Sequence, residues 1–321
     1  MLALVSGSIN ESTQAAMRYK RAPSDEFRAV LSGAGLLAPL LRVRTVAGLR
    51  LDVHLREDDH VHAYCGLTRL VDASLKGGRI RVCSHQTYKK QPCAVGLFRN
   101  WDLREPGFES ALERYLAKVA VAAAQTKREG SVQAAWASVK SPWTLLDREA
   151  VIGYDSTKAQ SAARASAKVA AARGAVALLA DSWANLPHDM TGAELDQLAV
   201  DGVGKLVLLE LKFEGASPDS IYYAPLQLLQ YVHEWHGAFD TLRNDLNRLR
   251  DARVELGLSP ASMPKITGGL RPAIGFGEDQ LTPTAESRLR SVCAIANKHL
   301  PPDVPPIEVW ALRGGVPVLL F

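Results

Sequence analysis

The sequence predicts an α/β protein in which a mixed sheet flanked by helices follows a separate β-rich N-terminal domain. Between residues 40 and 85, short runs rich in Val, Leu and Thr are punctuated by Asp-Asp and Gly-Gly pairs, the pattern of strands joined by tight turns. From Phe108 onward, apolar residues recur at helical spacing instead. The C-terminal half then reads helix, hairpin, helix, strand, helix, strand, the order of a layered α/β fold.

The N-terminal strands are expected in "LLRVRTVAG", "LRLDVHLRE", "HVHAYCGLTRLVDASL" and "GRIRVCSH", which would form a small meander. "FESALERYLAKVAVAAAQTKRE" is a helix entered at Phe108 after Gly107. "SPWTLLDREAVIGYDS" is extended. The alanine-rich "STKAQSAARASAKVAAARGAVALLADSWANL" is a long helix, because alanine is the best helix former and Ser156 can cap it. Lys158, Arg164, Lys168 and Arg173 fall on this helix with no acid among them, which suits either a phosphate-facing surface or a solvated face. "ELDQLAVDGVGKLVLLELKFE", from Glu194, is a hairpin. Pro225 opens a helix through "LQLLQYVHEWHGAF", and a second, charged helix covers "DTLRNDLNRLRDARVELG". After Pro260 and Pro264 come a strand in "LRPAIGFGE", a helix in "TAESRLRSVCAIANKHL", and closing strands "IEVWALR" and "VPVLLF" around Gly314-Gly315. This divides the chain into a β-rich domain at 1–110, a helical connector at 111–145 and an α/β domain at 146–321.

Composition narrows the function classes. With 47% apolar and 22% charged residues, the chain is neither disordered nor fibrous. A net charge of +4 permits a polyanionic partner without requiring one. No apolar run reaches the ~18 residues of a membrane span, and "MLALVSGSINESTQ" has no basic leader before a long apolar segment, so a cytoplasmic location is expected. Four cysteines without a CxxC pair fit a reducing compartment. His54, His60, His62 and His85 lie near Cys65, Cys83 and Cys93, so a zinc site is conceivable, but the spacing matches no known ligand pattern. None of the glycine pairs precedes G-K-[ST], which excludes a P-loop. "QTYKKQP" combines a tyrosine with two lysines and reads as a turn with solvated lysines ahead of a nucleic-acid contact.

The hairpin holds the chemistry. Residues two apart on a strand share a face, so Leu206, Leu208, Glu210 and Lys212 point one way, and Val207, Leu209, Leu211 and Phe213 the other. Gly202-Val203-Gly204 suits a three-residue turn with a glycine at the φ > 0 position, which pairs Asp201 with Lys205 as a flanking ion pair. Counting outward, Asp196 then faces Glu210 at a Cβ separation of ~5 Å, an arrangement that opposes folding if left alone. Mg²⁺ or Mn²⁺ removes the conflict, since such ions are held by one or two carboxylates, waters and a substrate phosphate. Lys212, ~7 Å along the same face, could orient a water or stabilise charge on a phosphate. A surface hairpin whose Lys212 merely pairs with Glu210 is the competing reading.

Asp196, followed after thirteen residues by "ELK" at Glu210-Leu211-Lys212, resembles the core of the PD-(D/E)xK nuclease superfamily, with its restriction-endonuclease-like fold. "QLLQY", Gln227 to Tyr231, resembles the QxxxY motif of the RecB-like and lambda-exonuclease-like branches. The resemblance covers about 156–321 and lacks the usual proline before the aspartate. It implies Asp196 and Glu210 as metal ligands, the Leu211 carbonyl as a further one, and Lys212 as catalytic, with Gln227 and Tyr231 beside the site positioning Lys212 or the DNA backbone. A third acidic or histidine ligand would come from upstream, with Glu149, Asp181 and His188 as candidates. Gln227 has an alternative role as an N3 residue helping to cap a helix that starts at Pro225.

The expected function is therefore a metal-dependent nuclease using Mg²⁺ or Mn²⁺, with DNA ahead of RNA as substrate by resemblance. Arg243, Arg248, Arg250 and Arg253, with the alanine-rich helix, would supply backbone contacts that carry no sequence information. The alternative is a non-catalytic nucleic-acid-binding or assembly protein on a nuclease-like fold. The N-terminal domain would serve target recognition, homo-oligomer formation or a protein partner.

Overall fold

The computed structural model describes residues 17–43, 45–46, 49–84, 86–124, 128–139, 142–180, 194–213, 218–277 and 281–321. After strand Met17–Arg18 (β1), helix Asp25–Leu31 (α1) starts at Ser24, whose hydroxyl accepts the Phe27 N–H. The stretch "LLRVRTVAG" departs from expectation, because its start lies in helix Ala38–Arg42 (α2). Pro39 explains this, since its fixed φ and missing N–H suit a first helical turn. Among the described residues of that stretch, Thr45–Val46 (β2) pairs with Leu49–Arg50 (β3).

The meander follows as an antiparallel sheet of Asp52–Arg56 (β4), His60–Cys65 (β5), Thr68–Lys76 (β6), Arg79–Cys83 (β7) and Asn100–Asp102 (β8), in that order. Asp58 and Asp59 turn β4 into β5 with φ of 59° and 55°. Gly77-Gly78, at 59° and 70°, form the two-residue turn before β7, the geometry glycine adopts without penalty. "QTYKKQP" contains the one-turn helix Gln86–Lys89 (α3).

Helices Phe108–Ala124 (α4) and Arg128–Ala137 (α5) precede Trp143–Ala150 (β9) and Gly153–Tyr154 (β10), which pairs with β1. The alanine-rich helix is Thr157–Ala180 (α6), capped as expected by Ser156, whose Oγ accepts the Ala159 N–H at 3.1 Å. Leu195–Asp201 (β11) and Leu206–Lys212 (β12) form the hairpin. Helix Pro218–Glu255 (α7), strand Leu270–Phe276 (β13), helix Pro283–Asn297 (α8) and strands Glu308–Arg313 (β14) and Val316–Leu319 (β15) complete the chain.

The two helices expected around residue 240 are one. Helix α7 runs 38 residues with Pro225 inside it. The proline removes the rung to the Ile221 carbonyl, but Leu226, Leu228 and Leu229 beside it are all fully buried, and that burial holds the helix together across the gap.

The large sheet has strand order β15-β14-β13-β12-β11-β9, with β12, β13 and β14 parallel and the remaining pairs antiparallel. It is a mixed α/β architecture with helices on both faces. On one face Val207, Leu209 and Leu211 meet Val132 and Trp136 of α5. On the other, Leu206 and Leu208 join a core that reaches through α7 and the N-terminal sheet as far as Leu55 and Val61. Helices α6 and α7 pack so closely that a Cβ on Gly174 would lie 2.8 Å from Leu226 Cδ2, which accounts for the buried alanines 167, 170, 171 and 175. Among the described residues no helix is long and apolar enough to cross a membrane.

Buried charge joins the N-terminal sheet to β9. Asp147, 1% exposed at its side chain, takes Arg21 at 2.9 Å, Arg56 at 2.5 Å and the Tyr19 hydroxyl at 2.6 Å. Arg253 is also buried there, donating to Ser259 Oγ and the Val53 carbonyl. It does not belong to a phosphate-facing surface, and Arg250 is likewise tied to the Met263 carbonyl and Asp251. Arg243 and Arg248 remain on the surface.

Candidate active site

The hairpin register follows from its turn. Val200 faces Leu206 and Gln197 faces Leu209, so the next pair outward is Asp196 and Glu210. Gly204 has φ +86°, and a Cβ there would sit 2.4 Å from the Lys265 carbonyl, so the turn requires glycine. The expected Asp201–Lys205 ion pair is replaced by another arrangement. Asp201 Oδ1 accepts the N–H groups of Val203 and Lys205 at 3.1 and 2.9 Å, and Oδ2 meets Arg271 at 3.2 Å.

Strand β12 is central, with Leu206, Val207, Leu208 and Leu209 all fully buried. The surface-hairpin reading is therefore wrong: Glu210 is 3% exposed and the Lys212 side chain 12%. Its ion pair is real nonetheless, with Lys212 Nζ 2.8 Å from Glu210 Oε1. Asp196 stands at the mouth of the hairpin, where Oδ2 accepts the Leu211 N–H at 2.7 Å and Oδ1 accepts from Gln133 Nε2 at 3.2 Å.

Helix α7 supplies the third side. Gln227 Oε1 accepts from Lys212 at 3.2 Å, and Gln227 Nε2 donates to the Tyr231 hydroxyl at 3.3 Å, one turn along. That hydroxyl donates in turn to the Glu194 carbonyl at 2.9 Å. Burial, with the Glu210 carboxylate adding to it, raises the Tyr231 hydroxyl above its ordinary range, so it stays protonated and keeps this role as donor. Gln227 is not a capping residue, because the helix begins at Pro218 and the side chain points to Lys212. One hydrogen-bonded chain thus joins Glu210, Lys212, Gln227, Tyr231 and the start of β11.

Of the upstream acids, Asp181 and His188 lie outside the described residues. Glu149 directs its carboxylate to the N-terminal sheet, accepting from the Tyr64 hydroxyl at 3.0 Å and pairing with Arg56 at 3.6 Å. Its backbone has φ +51°, unusual for a non-glycine residue. The residue that does reach Asp196 is Gln133 of α5, itself held by Arg148, with its backbone carbonyl accepting from Gln197 Nε2 at 3.0 Å. Its segment "SVQAAWASVK" carries no local motif, so nothing in the sequence singles it out.

Asp196 and Glu210 offer hard carboxylate oxygens, converging from adjacent strands onto one end of the sheet. That donor set fits Mg²⁺ or Mn²⁺ and suits a soft-ligand metal poorly. Compared with known protein families, with curated proteins and with solved structures, the chain matches none.

Proposed function

We propose that this protein is a metal-dependent nuclease that hydrolyses phosphodiester bonds, DNA ahead of RNA, on a restriction-endonuclease-like fold. The observation that carries the reading is the hairpin register, whose continuation one pair beyond Gln197 and Leu209 sets Asp196 opposite the buried Glu210, with the Lys212 ammonium 2.8 Å from Glu210. Like charges so placed are destabilising unless a cation lies between or beside them.

Asp196 and Glu210 would hold the ion, with the Leu211 carbonyl added by family resemblance. Bound there, it would supply Lewis-acid polarisation of a phosphate oxygen and a more acidic water. Lys212 is fixed by Glu210 and Gln227, so its ammonium meets developing phosphate charge without reorganising. Gln227 positions Lys212, and the Tyr231 hydroxyl positions Gln227. Exposed cations available for backbone contacts are Arg243 and Arg248 on α7 and Lys158, Lys168 and Arg173 on α6. Arg164 leaves that set because its side chain is only 24% exposed and turns toward the Glu234 side chain, itself 7% exposed, whereas Arg243 and Arg248 pair with acids of their own helix and stay on the surface.

A closed Lys212–Glu210 pair also favours a second reading, a non-catalytic nucleic-acid-binding or assembly protein in which the charges serve only as a network. The two are separated by incubating linear and circular, single- and double-stranded DNA, and RNA, with Mg²⁺, Mn²⁺ or EDTA. Metal-dependent cutting that is lost in Asp196→Ala and Lys212→Ala supports the nuclease. A folded wild type that cuts none of these substrates moves the second reading ahead.

A further inference from the structure

Three side chains converge on the N-terminal sheet, away from the hairpin. His60 and His62 are two apart on β5 and so share a face, and β6 sets Asp72 directly opposite His62. His60 Nδ1 lies 3.2 Å from Asp72 Oδ1, and His62 Nε2 lies 3.5 Å from Asp72 Oδ2. All three donor atoms fall within 4.8 Å of one another. A zinc-type ion bound at ~2.1 Å spaces its tetrahedral ligands roughly 3.4 Å apart, a spacing that the two His–Asp contacts at 3.2 and 3.5 Å already have, while the remaining separation closes on loading.

The His62 ring is also oriented for this role. Its Nδ1 lies 3.1 Å from the Tyr64 hydroxyl, and that hydroxyl gives its single proton to Glu149 Oε2 at 3.0 Å. Nδ1 must therefore carry the hydrogen and donate to the phenolic oxygen, which leaves Nε2 of the neutral ring as a lone pair facing the Asp72 carboxylate. Two acceptors so opposed are reconciled by a proton on Nε2 or by another cation. A hydrogen bond on the far nitrogen is the device that fixes the tautomer of metal-binding histidines. Arg69 occupies this position, with Nη1 3.5 Å from both Asp72 Oδ2 and His62 Nε2. Both contacts are long and its side chain is 44% exposed, so it is free to swing outward.

We propose that His60, His62 and Asp72 bind a divalent transition-metal ion of the zinc type, through Nδ1, Nε2 and one carboxylate oxygen, with Arg69 displaced on loading. The three residues line a cavity of about 430 Å³ together with Arg18, Lys20 and Arg21. Glu57 also lines it, and Arg18 and Arg21 are paired with Asp155 and Asp147, so the surroundings of the fourth position are mixed in charge. Nitrogen donors distinguish this site from the all-oxygen pair Asp196 and Glu210, and the proposal stands independently of the nuclease reading.

The test uses the full chain, stripped by chelator and titrated with Co²⁺ by visible absorption, then with Zn²⁺ and Mg²⁺ as competitors. We expect one equivalent of tetrahedral Co²⁺, displaced by Zn²⁺ and not by Mg²⁺. Binding should weaken in His60→Ala and in Asp72→Asn by more than the ~10–100-fold that loss of an outer partner costs, and should be unchanged in Glu210→Ala. The His60 side chain is 38% exposed, so its replacement leaves the fold intact, as circular dichroism will check. The proposal is overturned if the folded wild type takes up no Co²⁺ or Zn²⁺. It is equally overturned if uptake persists undiminished in both His60→Ala and Asp72→Asn, or is lost in Glu210→Ala alone.

Discussion

Replacing Lys212 by methionine keeps the length of the side chain and removes the charge beside Glu210. Glu210 is 3% exposed, so its carboxylate loses the ammonium at 2.8 Å without gaining bulk water. Removing one member of a buried pair costs ~3–5 kcal/mol. The 12% exposure of Lys212 admits some solvent and places this case near the low end, at about 3 kcal/mol. Glu210→Gln/Lys212→Met removes both charges, so the double variant should lie well above the sum of the singles, with a coupling on the order of 2 kcal/mol. Urea unfolding reads these values as midpoint shifts at unchanged slope. If the hairpin holds a divalent ion, Mg²⁺ at 100 times its Kd should return about 2.7 kcal/mol to Lys212→Met, since a cation again faces Glu210. A cost below ~1 kcal/mol, as for an exposed pair, would refute the burial argument. Failure of Mg²⁺ and Mn²⁺ to stabilise either protein would refute the metal argument separately.

Two further outcomes follow from the frame. Burial pushes the Asp147 carboxyl up, but Arg21 and Arg56 outweigh it and hold the group well below its ordinary value. Its folded value is thus depressed, and its contribution is complete above the unfolded value of ~4 and lost as pH falls. Asp147→Asn should cost about 3–5 kcal/mol at neutral pH, and the gap to wild type should begin to narrow below roughly pH 4 and go on shrinking as pH falls toward the much lower folded value; a gap independent of pH contradicts the assignment. Gly204→Ala should lower stability by at least ~1–2 kcal/mol from φ alone, with more from the clash at the Lys265 carbonyl, whereas Gly202→Ala meets open space and should be nearly neutral in a melting experiment.

The candidate site was legible in the sequence where its determinants are local. The turn glycine, the two-residue strand period and the one-turn spacing of Gln227 and Tyr231 are all encoded within a few residues of one another, and the structure brings these side chains together as the count predicts. What escaped depends on distant chain. Gln133 reaches Asp196 across 63 residues, and Arg253 reaches the Val53 carbonyl across 200. An arginine in a charged helical run reads as solvated until its partner is known. Pro225 and Pro39 show the same limit in reverse, because each is read by local propensity: Pro225 lies inside a helix that its buried leucines sustain, and Pro39 sits in the first turn of a helix where a strand was expected. Asp147 stands two residues from Glu149 in "LLDREA", and only the N-terminal sheet folding over β9 decides which acid is buried.

Helix α7 ties these parts into one mechanical unit. At 1.5 Å per residue its 38 residues extend about 57 Å. Near one end it holds Lys212 through Gln227; further along, Asp245 accepts the Tyr19 N–H at 3.0 Å, and Arg253 meets the meander. The hairpin, the first strand and the meander thus each hydrogen-bond to a different turn of one continuous helix, so their spacing along it is set by the number of residues between Gln227, Asp245 and Arg253.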